Sequence, residues 1–119
     1  MRYTLRPAIL ALILASPCFA AGANGGQTTV ADGHPIEFVE TGTSVTFFVI
    51  GEDGKPVDTA GLSAKAFVQA NGKTETLSLK PAAPNKFVAD LKSPLAAGAK
   101  VVLSTKLHGH NVQARFEKQ

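Results

Sequence analysis

Three histidines, His34, His108 and His110, carry most of the chemistry that this 119-residue sequence offers. An imidazole is a strong ligand for borderline metals and changes charge near neutral pH. Two of the three stand in His108-Gly109-His110, where glycine lets the backbone turn tightly. Both rings can then leave one end of a domain and share a Cu(II) or Zn(II) ion with a third ligand. His34, between Gly33 and Pro35, is the candidate third ligand if its loop lies at that same end. The competing reading makes His108 and Asn111 ordinary polar residues beside a turn and His34 a solvated loop residue, because two histidines and a glycine form a weaker pattern than the spaced Cys/His sets of zinc motifs.

The other reactive side chains are not arranged for catalysis. Glu37 and Glu40 are three apart, which on a strand sends them to opposite faces, so they make no acid/base pair. Glu52, Asp53 and Asp58 surround Gly54 but lack the alternating spacing of a calcium loop and read as a turn solvated by its own acids. Ser44, Ser63, Ser78 and Ser104 fall in strand-like segments outside any nucleophile elbow. No enzyme is expected, and with no catalytic residue to name the chain reads as a binding protein.

What must position the histidines is a small exported domain. Arg2 and Arg6, an apolar run over 8–15 and the ending Cys18-Phe19-Ala20 predict a cleaved secretory signal peptide at 1–20, hence a periplasmic or secreted protein. The apolar run is too short to span a bilayer, so no membrane insertion is expected after the signal is removed. Pro17 beside Cys18 fits a lipid attachment site poorly. Removal of the signal takes with it Met1, Tyr3 and Cys18, each the only residue of its kind, and the chain has no Trp. The mature domain therefore has no disulfide, no thiolate or thioether for Cu(I), and no Trp or Tyr platform for sugars. The chain's net charge is +3; without Arg2 and Arg6, ten basic residues face nine acidic ones, a balance of +1. Scattered singly, these charges exclude nucleic acid as a natural partner.

Residues 21–26, Ala-Gly-Ala-Asn-Gly-Gly, read as a flexible lead-in, and 27–119 as one all-β domain. Short runs of Val, Phe, Leu and Thr are broken about every ten residues by Gly, Asn, Asp or Pro. Asp53-Gly54 predicts a turn after a strand over 45–50. Asn71-Gly72 predicts a type I′ hairpin setting Ala66 opposite Leu77 and Ala64 opposite Leu79. Gly109-His110, taken as a type II′ turn, sets Leu107 opposite Val112, Thr105 opposite Ala114 and Leu103 opposite Phe116. Seven or eight antiparallel strands result, and an immunoglobulin-like antiparallel β-sandwich is the expected closure. Phe38, Phe47, Phe67, Phe87 and Phe116 would fill the interior, while Phe48 points away from Phe47.

The segments Asn24-Gly25-Gly26-Gln27, His34 with Glu37-Phe38-Val39, Asp53-Gly54-Lys55-Pro56-Val57-Asp58 and Gln113-Ala114-Arg115-Phe116 resemble a group of small exported proteobacterial proteins. That group is similar to the YtkA-like and periplasmic copper-carrier-like sandwiches. The resemblance spans nearly the whole mature chain and implies a periplasmic immunoglobulin-like domain with relatives near metal-efflux and copper-handling systems. It implies no catalytic residue, and of the three histidines it touches only His34. Two functions are expected: a non-catalytic binding or interaction module that docks an envelope protein on its strand edges, or a metal-handling accessory that binds Cu(II) or Zn(II) through His108 and His110 with help from His34.

Overall fold

A computed structural model describes residues 20–119, so the expected signal peptide lies outside the described residues except for Ala20. Runs that alternate apolar and polar side chains become strands because the pleat sends successive side chains to opposite faces. In chain order they are β1 (Ala20–Ala21), β2 (Gln27–Ala31), β3 (His34–Thr41), β4 (Ser44–Val49), β5 (Ala64–Ala70), β6 (Lys73–Ala82), β7 (Lys86–Asp90), β8 (Lys100–Leu107) and β9 (His110–Glu117). Among the described residues there is no helix.

Three connections are two-residue turns whose central residues both hold positive φ: Asp32 and Gly33 at 51° and 79°, Asn71 and Gly72 at 53° and 74°, His108 and Gly109 at 50° and 81°. This is the type I′ signature, whose twist matches that of the flanking strands. The Asn71-Gly72 hairpin has the expected register, with Ala66 opposite Leu77 and Ala64 opposite Leu79. The last hairpin does not. Its turn is His108-Gly109, not Gly109-His110, so Leu107 faces His110, Thr105 faces Val112 and Leu103 faces Ala114. The difference is a slide of two residues, and side chains repeat every two, so the same residues stay inside in either register.

Among the described residues all nine strands belong to one antiparallel sheet in the order β1-β2-β3-β4-β7-β6-β5-β8-β9. A sandwich needs two separate sheets face to face. Here the ten-residue β6 pairs with β5 over 73–79 and then with β7 through Lys80, Pro81 and Ala82, carrying the sheet around the corner. The expected immunoglobulin-like sandwich is thus replaced by a nearly closed, barrel-like sheet whose two ends meet where β2 runs beside β9. Gln27 bridges that seam. Its amide nitrogen donates to the Glu117 carbonyl at 2.6 Å, and its amide oxygen accepts from the Glu117 N–H at 3.3 Å. Lys118, just past β9, adds an ion pair to Glu40 at 2.8 Å.

Inside, the rings of Phe38, Phe47 and Phe116 lie 5.2 to 5.9 Å apart in tilted contacts, beside the buried Phe87. Such geometry suits the ring quadrupoles. Phe48 faces outward as alternation requires, with the Lys86 ammonium over its ring. Phe67, expected in the interior, alternates with buried Ala66 and Val68 and is therefore only half-buried on the opposite face. Glu37 is also on the outer side of β3, yet it is 6% exposed because residues 22–26 fold over it. Its carboxylate accepts hydrogen bonds from the Asn24 N–H at 2.9 Å, the Asn24 amide at 3.0 Å and the Gly26 N–H at 2.7 Å. These bonds compensate the loss of water around a buried charge. A side chain at Gly22 would meet the Glu37 carboxyl and displace it from these hydrogen bonds.

If Gln27 closes the barrel, Gln27→Ala should lower unfolding stability by about 1–3 kcal/mol, the cost of leaving the Glu117 N–H without its partner. Urea denaturation measures the loss, and hydrogen exchange at the Glu117 amide should accelerate with it.

Candidate metal centre

The Asp32-Gly33 turn decides where His34 points. It pairs Ala31 with His34, which makes His34 the first residue of β3 and puts it in the alternation of Ile36 and Phe38, facing inward. His34 is consequently 3% exposed and caps one end of the barrel; it is not a solvated loop residue. Its Nδ1 lies 2.9 Å from the Asp32 carbonyl oxygen. A carbonyl only accepts, so Nδ1 carries the proton and Nε2 of the neutral ring keeps its lone pair. Histidine ligands of metals are commonly held in this way, by a backbone carbonyl on the far nitrogen.

His108 comes to the same end on the β8–β9 turn. It is exposed, and its ring lies 5.9 Å from that of His34, centroid to centroid, with 24° between the planes. The structure therefore joins His34 to His108. His110 begins β9 opposite Leu107, is exposed, and does not line the groove between the other two. A positive φ disfavours most side chains, and asparagine, aspartate or glycine is the usual first residue of a type I′ turn. A histidine at that position is not what the turn alone would select.

The two rings line an open groove of 460 Å³ whose far wall is the segment joining β4 to β5, including Glu52, Asp53, Lys55 and Asp58. That segment is pinned. Gly51 donates to the Lys55 carbonyl at 2.7 Å, Gly54 turns back to the Gly51 carbonyl at 2.9 Å with φ at 82°, and Ile50 bridges Pro56. Further along, the buried Thr59 hydroxyl is shared between the Lys86 carbonyl at 3.0 Å and the Ala82 carbonyl at 3.3 Å. Asn85 reaches across to the Val49 carbonyl at 3.0 Å.

The three acids differ in what they already do. Asp53 accepts from the Lys55 N–H and Asp58 from the Ala60 N–H, each at 3.0 Å, as short acids do in turns. Glu52 accepts no hydrogen bond among the described residues. Its side chain lies across the β2–β3 turn: a Cβ built on Gly33 would stand 3.0 Å from the Glu52 carboxyl carbon. Among the described residues no three His, Cys, Asp or Glu side chains already converge as a metal cage. Comparison with protein families, with curated proteins and with solved structures finds no match.

The burial of His34 was open to sequence reasoning. Asp32-Gly33 is the same kind of dipeptide as Asn71-Gly72, and reading it as a type I′ turn places His34 on the inward face with Ile36 and Phe38.

Two substitutions separate the frame from the ligands. His108→Asn keeps a residue suited to positive φ, and its melting curve should match wild type to within about 0.5 kcal/mol. Thr59→Val keeps the shape but removes a buried hydroxyl that donates to two carbonyls, and thermal denaturation should show a loss of about 1–3 kcal/mol.

Proposed function

We propose that this protein is an exported, non-catalytic binding module of the cell envelope that takes a divalent metal ion, Cu(II) or Zn(II), between His34 and His108. The observation that carries the reading is the pairing of the two imidazoles, 5.9 Å apart, at the mouth of an acid-lined groove. One of them has its tautomer fixed by the Asp32 carbonyl. Two imidazoles with nearby carboxylates suit borderline divalent ions and not Cu(I), which prefers sulfur. Export rests on the signal-like first twenty residues. The ligand pair of this proposal is His34 and His108, with His110 outside it.

Docking of an envelope protein along a free strand edge has less to recommend it. The edge of β9 faces β2 across the seam, and Gln27 occupies backbone groups of Glu117 that a partner strand would need.

Calorimetric titration of the purified protein with Cu(II) and with Zn(II) tests the proposal. A dissociation constant in the low micromolar range or tighter, about 8 kcal/mol of affinity, is expected. Binding should be lost in His108→Asn and retained in His110→Asn. An absence of heat, or heat unchanged in His108→Asn, would remove the His34–His108 site from consideration and direct attention to a protein partner.

A further inference from the structure

The geometry points to Glu52 as the third ligand of this centre, so that one ion joins the β2–β3 turn, the β4–β5 segment and the β8–β9 turn. The inference rests on the reading of His34 and His108 as ligands. Three observations select Glu52 among the acids of the groove. It lies against Gly33, the residue immediately before His34, and lines the same groove as the two imidazoles. It makes no hydrogen bond among the described residues, whereas the carboxylates of Asp53 and Asp58 are engaged by backbone N–H groups of their own turns. It is exposed at the groove wall and has the longest side chain of the three.

The chemistry of the set narrows the ion. Two neutral imidazole nitrogens and one carboxylate oxygen form a borderline nitrogen and oxygen donor set that suits Zn(II), with a fourth tetrahedral position left to water. His34 supplies Nε2, since its Nδ1 is committed to the Asp32 carbonyl. The three donors come from the start of β3, the β4–β5 segment and the β8–β9 turn; the Ile50 N–H donates to the Pro35 carbonyl at 2.9 Å and ties the first two together, and an ion would add the third. Binding should therefore hold the barrel mouth together and raise resistance to heat, because a ligand that binds only the folded state stabilises it.

Zinc titrations and thermal melts of wild type, Glu52→Gln, Asp53→Asn and His108→Asn decide the matter. Melts in chelator come first and should coincide for wild type and Glu52→Gln, since Glu52 has no partner to lose. With Zn(II) at about a hundredfold excess over the dissociation constant, the wild-type midpoint should rise by about 10 °C. Glu52→Gln should weaken Zn(II) binding at least about tenfold and lose most of that rise, while Asp53→Asn stays within about twofold of wild type. If Glu52→Gln binds like wild type while His108→Asn fails to bind, the two-histidine reading stands and the third-ligand assignment falls. Equal weakening by Asp53→Asn overturns the assignment as well. If wild type takes up no Zn(II), both fall together.

Discussion

At Asp32-Gly33 and again at His108-Gly109, the backbone holds positive φ at two successive residues, and the pairing of four strands follows from those two turns. A left-handed conformation costs an ordinary residue about 1–2 kcal/mol. Glycine escapes that cost, and short polar residues such as Asp32 and Asn71 reduce it. Once the turn is set, the register is set, and a slip of one residue would send every inward side chain of the hairpin to solvent. His34 is buried for this reason: it is the first inward position after the turn, continuous with Ile36 and Phe38. His108 is exposed for the complementary reason, since it is itself the tip of the turn.

Closure of the sheet then brings the two turns together. β2 runs toward the Asp32-Gly33 turn while β9 runs away from the His108-Gly109 turn, and the seam between them is held by Gln27 against Glu117 near their far ends. Antiparallel strands laid side by side in this way must place the end of β2 near the start of β9. A sandwich with separate sheets would impose no such neighbourhood. The imidazole pair is thus a product of the long-range closure acting on two locally determined turns. The β4–β5 segment completes the groove because β4 ends where β3 begins, Ile36 pairing with Val49, and Thr59 and Asn85 tie the crossing to the β6–β7 turn.

Local chemistry was legible in the sequence and long-range closure was not. The all-β class, the Asn71-Gly72 register and the opposition of Phe47 to Phe48 follow from turn residues and alternation over a few positions. The slide in the last hairpin escaped because both registers bury Leu103, Thr105 and Leu107, so matching apolar faces was not a discriminating test. Only the choice of which residue accepts positive φ separates the two. Closure depends on a strand that changes partner midway and on a glutamine ninety residues from the group it bridges, and neither leaves a short-range pattern. Glu37 shows the same limit: alternation puts it outside, and the folded lead-in buries it. Of the three histidines read as candidate ligands, the fold unites two that stand far apart in the sequence, His34 and His108, and leaves His110 apart.

The account stands on His34 and His108 sharing one ligand. Nitrogen NMR of the imidazole rings during addition of Zn(II) observes that sharing directly, ring by ring. The Nε2 resonance of His34 and a ring nitrogen of His108 should shift together and saturate at one equivalent, with His110 unmoved. Shifts confined to His108 and His110, with His34 unchanged, would contradict it.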